Sequence, residues 1–458
     1  MTRREEIPGD RAATLEAVRT CGSGKVKVAV ADVDGILRGK YVHIDKFMSA
    51  VDGGIGFSVF GTDLNDRPYD DGYASGRRLG FPDATVELDL ATYRKVPWDA
   101  NVPFFLGDFV KSDGSPHPLC PRQVLKGVLA RANKMGFSVL AGSEYEFVNF
   151  KETPETWAAK KGVRPTPITH GMIGYSLVDA NMHREYISAL MDETSRFGIP
   201  LESLHTETGP GVYEAAILFG DALEAADRAI LFKDAAKEIA SRFGIMPSFM
   251  AKWHPKYPGS AGHIHQSLSD GSRNVFHDAN GAHGGMSRIF ESYVAGQLHY
   301  LFELAPMFWP TINSYKRLVD GFWAPVKATW GIDNRTAAFR VLTGSPKSTR
   351  VETRCPGADS NAYLAMAACI AAGLAGVEEG LTLSTPPIQG DNQGGGEHAV
   401  RAPRTLIETT RVFHASRLAR DWFGSAFVAY FAATREQEWR EWLDAVTDWE
   451  LRRYFEVI

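Results

Sequence analysis

Between Phe137 and Phe147 the chain reads FSVLAGSEYEF, and its alternation sets Glu144 and Glu146 on one face of a strand with Tyr145 and Phe147 on the other. Such a strand can be buried only where something neutralises its acids, because an unpaired buried carboxylate costs several kcal/mol or takes up a proton. The same demand recurs along the chain. Glu207 and Glu214 flank a Gly-Pro-Gly turn in ETGPGVYEAAI, His263 and His265 alternate in GHIHQSL, and Glu352 falls between Arg350 and Arg354 at period two. A fold that satisfies all of these must gather several strands, each with a polar face, around one lined cavity.

The cations that such a cavity needs are concentrated between Asn313 and Arg354. That segment carries Lys316, Arg317, Lys327, Arg335, Arg340, Lys347, Arg350 and Arg354 against Asp320, Asp333 and Glu352, in a protein whose formal net charge is -5. Basic residues interleaved with Val, Phe, Leu, Ala and Trp suit a site that grips a phosphorylated, carboxylated ligand. The acids Glu144, Glu146, Glu207, Glu214 and Glu352 with a histidine resemble the ligands of two divalent cations. Oxygen-dominated ligation with an imidazole and no thiol favours magnesium or manganese over zinc. Paired hard cations beside clustered Arg and Lys describe phosphoryl transfer. The chain has neither a G-x-x-x-x-G-K-[ST] loop nor a kinase signature, so the nucleotide is expected to be held in another way.

Length and composition narrow the setting. At 458 residues the chain can bury a substantial core, and its four scattered cysteines form no metal or disulfide framework, which favours a reducing, cytoplasmic location. The N-terminal run MTRREEIPGDRAATLEAV has no apolar core of the kind a signal peptide needs. Residues 362–377 are apolar but short for a bilayer span and read as a buried helix, and a pI of about 6.2 without a basic tail argues against nucleic acid. No membrane partner is expected. Lys25 to Val42 reads as a hairpin, Gly53 to Asp71 as a loop and Ala84 to Leu90 as a strand. The Pro- and Gly-spaced connector GSPHPLCP then precedes a helix at Gln123 to Met135, which divides a small domain at 1–118 from a large one at 119–458. Further helices are expected at Arg184 to Phe197, Ala222 to Phe243, Met286 to Leu304, Leu406 to Phe423 and from Val428 onward, with a polar, Gly-rich loop at 384–398.

Six motifs, in order, resemble the glutamine synthetase family over nearly the whole chain. They are G-S-E-Y-E-F at 142–147, E-T-G-P-G-V-Y-E at 207–214, G-S-A-G-H-I-H-Q-S-L at 259–268, N-S-Y-K-R-L-V at 313–319, N-R-T-A-A-F-R at 334–340 and R-V-E-T-R at 350–354. The resemblance implies an α+β chain with a small N-terminal β-grasp domain followed by a catalytic α/β barrel. It also implies a homo-oligomer, a dodecamer of two hexameric rings with sites between subunits. The implied chemistry activates the γ-carboxylate of glutamate with ATP and then lets an amine displace phosphate.

Position by position, the resemblance implies one metal held by Glu146, Glu207 and Glu214 and another by Glu144, His263 and Glu352. Glutamate would meet Glu146, Arg317, Arg354 and the Gly259 backbone; Arg335 and Arg340 would stabilise phosphate. Glu202, Phe219, His265, Ser267, Lys347 and Arg350 would meet ATP. Asp63 would be the acid contributed by a neighbouring subunit, with Asp66 close enough to compete, and Tyr175 would join it at the amine end. The departures concern that end. Ammonia-using members carry a Glu after the K-R-L-V motif that orients and deprotonates ammonium, whereas this chain reads Gly321-Phe322-Trp323-Ala324-Pro325. The Gln of G-P-G-Q-x-E is replaced by Val212, and Pro258 stands where an Asn is frequent. The expectation is an ATP-dependent ligase for an amine larger than ammonia, with Trp323 on the amine; ordinary glutamine synthesis, and a non-catalytic relative, are the alternatives.

Overall fold

A computed structural model of the chain describes residues 10–69, 76–391 and 399–458. Five strands form the first sheet: β1 (Lys25–Ala31), β2 (Leu37–His43), β3 (Ile55–Phe57), β4 (Ala84–Val96) and β5 (Val102–Val110), in the order β2-β1-β5-β4-β3. β1 and β2 are the expected hairpin, closed by Asp32, whose Oδ1 accepts the amides of Asp34 and Ile36. β5 was not legible by alternation because it lies between β1 and β4 with every residue buried, leaving no solvent face to carry polar side chains. Within the run read as loop, β3 is a short strand, and the last residues of that run lie outside the described ones.

The second sheet is built on β6 (Ser138–Phe150). Its companions are β7 (Leu201–Thr206), β8 (Val212–Ile217), β9 (Gly220–Asp221), β10 (Met246–Ser248), β11 (Gly262–Ser269), β13 (Trp330–Ile332), β14 (Phe339–Leu342) and β15 (Arg350–Thr353); β12 (His277–Gly281) stays apart. The path runs β13-β14-β15-β11-β6-β8-β7, antiparallel except for the parallel pair β13 and β14, while β9 and β10 pair with β6. Every acid-bearing strand singled out in the sequence therefore belongs to one sheet.

Helices Pro121–Lys134, Ala222–Ser241, Arg288–Tyr300 and Ala362–Glu379 pack beside it. The last is longer than expected, 18 residues, and is apolar enough to cross a membrane by length and composition, yet 83% of it is buried within the protein. Gly376 in it and Gly296 in helix Arg288–Tyr300 serve a close backbone contact: a Cβ on Gly376 would sit 2.2 Å from Ser292 O, and one on Gly296 2.2 Å from Ala372 O. Arg122 ties the first sheet to helix Ala222–Ser241, bonding Asp108 on β5 at 2.7 Å, Asp89 on β4 at 2.9 Å and Asp227 of that helix at 2.8 Å. The helix expected from Leu406 to Phe423 is two helices, Leu406–Ala415 and Arg417–Phe423. Ser416 leaves the helical region at ψ 126 and caps the second by accepting from the Ala419 amide. The Gly-rich run at 384–398 lies partly outside the described residues.

Candidate active site

Register assembles the first charged cluster. β11 lies between β6 and β15, with His263 opposite Glu144 and His265 opposite Glu352. His263 Nδ1 stands 3.6 Å from Glu144 Oε2 and 3.4 Å from Glu352 Oε1. That nitrogen is buried and has no hydrogen-bond partner among the described residues. An orphan imidazole nitrogen between two carboxylates fits a divalent cation, which would use all three as ligands. Arg354 and Arg340 flank Glu352, Arg340 Nη1 at 2.9 Å. Burial works to raise the Glu352 carboxyl, but Arg354, then His263, His265 and Arg340, hold it down at about 2. Burial also works to raise Glu144, but the neighbouring His263 and His265 imidazoles outweigh it and hold the carboxyl well below the usual carboxylate range.

The second cluster sits across β6 and contains Glu207 and Glu214 of the expected set. Glu214 on β8 faces Glu146 on β6 and His205 on β7. The donor atoms that converge are those of His205, Glu207 and Glu214, all within 4.8 Å of one another, with His205 Nε2 3.1 Å from Glu214 Oε1. Glu146, expected in this set, has Oε2 accepting the Ala261 amide at 2.7 Å. His205 was missed, although its period-two relation to Glu207 in L-H-T-E was legible. This cluster is short of positive charge: burial, reinforced by Glu144 and Glu146, pushes Glu214 up to about 8 despite the hydrogen bond with His205.

Both clusters open on one cavity of about 400 Å³, whose lining includes Glu144, Glu146, Glu207, Glu214, His263, Arg317, Arg335 and Arg354 with Gly259, Tyr175 and Trp323. Arg317 is 3% exposed and is fixed by donating to Cys355 O at 2.8 Å and Arg354 O at 3.3 Å. Arg354 Nε is buried without a partner among the described residues, so the pair suits an anionic ligand. Gly259 is dictated by close approach, since a Cβ there would lie 2.3 Å from Ala251 O and 2.7 Å from Arg317 Cγ. Trp323 and Tyr175 are 61% and 63% exposed, and both hold left-handed backbone, φ 63 and φ 56.

The remaining expected residues lie around this cavity or apart from it. Arg350 Nε donates to His265 Nδ1 at 3.2 Å, and His265 Nε2 lies 3.3 Å from Glu144 Oε2, so two of the nucleotide candidates lead directly to the first cluster. Ser267 follows on β11, and Phe219, 57% exposed, lies over Gly142 of β6. Glu202 and Lys347 are exposed. Arg340 does not line the cavity; Glu352 and Asp333 occupy its guanidinium. Asp63 and Asp66 are also absent from the lining. Asp63 accepts the amides of Asn65 and Arg67 at 2.8 Å, while Asp66 pairs with Arg38 at 2.9 Å. A second cavity, about 270 Å³, opens between the first sheet and helix Ala222–Ser241 and holds none of the expected residues.

Carboxylate and imidazole clusters sharing a cavity with buried arginines define a site for anionic substrates and divalent cations. The particular family follows from comparison with known proteins: residues 118–454 match the glutamine synthetase catalytic domain, and the chain belongs to the glutamine synthetase family. It is 46% identical to type-1 glutamine synthetase 2 of Dictyostelium discoideum, covering 97% of this chain and 86% of that protein. It is 34% identical to the glutamate–isopropylamine ligase of a Pseudomonas species, covering 94% of this chain and 95% of that one. It is 36% identical to the γ-glutamylethanolamide synthetase GlnA4 of Streptomyces coelicolor, covering 94% and 92%. A GmaS–ADP complex superimposes with a TM-score of 0.84 at 26% identity, over 97% of this chain and 99% of that one. The protein is thus an enzyme of a ligase family whose members depend on ATP and divalent metal.

Proposed function

We propose that this protein joins the γ-carboxylate of glutamate to an organic amine, an alkyl or aryl monoamine, at the expense of ATP. The observation that carries the reading is Trp323, which lines the cavity of Arg317, Arg354 and both carboxylate clusters at the position where ammonia-using members carry a glutamate. The relatives named as isopropylamine and ethanolamide enzymes support it. A second reading, ordinary glutamine synthesis, is favoured by the name of the Dictyostelium relative.

In the proposed reaction Arg317 and Arg354 hold the carboxylates of glutamate, with Gly259 leaving room beside Arg317. The γ-carboxylate oxygen attacks the terminal phosphorus of ATP, the bond to ADP breaks, and γ-glutamyl phosphate forms. The amine nitrogen then attacks the acyl carbon, phosphate leaves, and the nitrogen gives up a proton. Glu144, His263 and Glu352, with Glu146, Glu207 and Glu214, would hold two magnesium or manganese ions, which would supply positive charge to the phosphates. Arg335 faces the transferred phosphoryl group, and Arg340 braces Glu352. Glu202, Phe219, His265, Ser267, Lys347 and Arg350 form the nucleotide side. Ring assembly brings Asp63 or Asp66 of a neighbour, carried by an N-terminal β-grasp domain at 1–118, to the amine end of the barrel at 119–458. The setting is the cytoplasm.

ADP release with glutamate, ATP and a panel of amines tests the reaction: a hydrophobic monoamine is expected to be the best substrate. Ammonia as the best substrate would return the protein to glutamine synthesis. Sedimentation at assay concentration tests the assembly, which an active monomer would refute.

A further inference from the structure

We infer that Asp359 is a positioning residue for glutamate, acting through the short helix Ser314–Arg317 that brings Arg317 to the cavity. Its Oδ2 accepts the Ser314 hydroxyl at 2.6 Å and the Thr311 hydroxyl at 2.9 Å. Each hydroxyl also accepts the other residue's amide, Ser314 Oγ from Thr311 at 3.0 Å and Thr311 Oγ1 from Ser314 at 3.1 Å. The amides take a lone pair of each hydroxyl and leave its one hydrogen for the carboxylate, so position 359 calls for an acceptor. Ser314 is fully buried and begins the helix, and Arg317 ends it one turn later. The carboxylate therefore fixes the backbone from which the Arg317 side chain projects.

The other end of Arg317 is held by the same stretch of chain. Its guanidinium donates to Arg354 O and Cys355 O, and among the described residues it has no carboxylate partner. An acid in direct contact would compete with the substrate carboxylate for the N–H groups of the fork. Asp359 avoids that competition by working through two hydroxyls, yet with Glu146 it still balances the buried charge of Arg317. Its Oδ1 is buried and has no hydrogen-bond partner among the described residues, so the second oxygen is left as countercharge alone. The loop also reaches the glycine side of the cavity. The Ala358 amide donates to Ser260 O at 3.0 Å and the Gly262 amide to Pro356 O at 2.9 Å, which ties this loop to the segment that follows Gly259. A binding group keeps its geometry only when its supports are themselves locked, and Arg317 is supported at both ends from residues 354–359.

The inference rests on the reading of Arg317 as a glutamate ligand, and the test separates the two. ADP release by the full chain, with magnesium and the best substrate of the amine panel, gives KM for glutamate and for ATP. Asp359→Ala should raise the glutamate KM about tenfold or more and leave the ATP KM within about twofold, because it displaces Arg317 and not the nucleotide side. Arg317→Lys should itself raise the glutamate KM, since a point charge does not replace the fork. In that background Asp359→Ala should add little, because the group it places is already gone, whereas a residue that merely held the fold would act additively. If Asp359→Ala does not fold, Ser314→Ala, which removes one of the two hydroxyls and keeps the charge, should raise the glutamate KM with the same selectivity. Equal rises in both KM values, an unchanged glutamate KM in the folded variant, or full additivity with Arg317→Lys overturns the inference. An unchanged glutamate KM in Arg317→Lys would overturn the glutamate assignment itself.

Discussion

Glu352→Gln should reduce ADP formation by about 10³ or more, equivalent to roughly 4 kcal/mol in the transition state. The amide keeps the shape of the side chain and its one oxygen can still accept from Arg340 or from Arg354, but it removes the negative charge that the His263 cluster offers a cation. Glutamine is the informative replacement because Glu352 is fully buried. Alanine would also strand the Arg354 guanidinium, while Arg340 keeps Asp333, and an unsatisfied buried charge destabilises the fold by several kcal/mol on its own. Excess chelator should reproduce the loss in the wild type. The carboxyl is held at about 2, so protonation of this group does not limit activity near neutral pH, and the loss in Glu352→Gln should be flat across pH 6 to 8. Full turnover in chelator would remove the metal from the mechanism.

The polar faces of β6, β11 and β15 were legible because each strand is half apolar core and half cavity wall, which preserves a period of two. β5 lost that period by being buried on both faces. Pairing partners were less accessible to sequence. Arg340 shares a motif with Arg335, yet antiparallel register places it against Glu352, and Asp333 takes its remaining nitrogens, whereas Arg335 reaches the cavity. Glu146 and His205 flank Glu214 from opposite neighbours, and which of them converges on its carboxylate depends on strand order and on the bond from the Ala261 amide. Spacing along one strand cannot encode either. Asp63 lies in a turn satisfied by its own backbone, and a partner from another subunit leaves no trace in a single chain.

Trp323 should set the choice of amine. Ammonium is small and strongly hydrated, so its capture needs nearby negative charge and a base for its proton. An indole supplies neither. It offers an apolar face to an alkyl or aryl group and a cation–π contact of about 0.5 to 2 kcal/mol while the amine is protonated. The backbone points the same way: a bulky residue at φ 63 costs about 1 to 3 kcal/mol and persists only where its surroundings dictate it. Trp323 also lines an adjoining cavity of about 320 Å³ with Ala324 and Val326, so it stands as a partition between two spaces. The wild type should therefore prefer a monoamine with a hydrophobic substituent over ammonia by about tenfold or more in kcat/KM, at least about 1.4 kcal/mol. Trp323→Glu restores the charge that ammonia-using members have and should shrink or reverse that preference. Trp323→Ala joins the two spaces and should shift the optimum toward bulkier amines while leaving the glutamate KM nearly unchanged, because Arg317 and Arg354 are untouched. An amine profile identical to wild type in Trp323→Ala, with ammonia used best throughout, would show that the indole only fills the wall and that the chain makes glutamine.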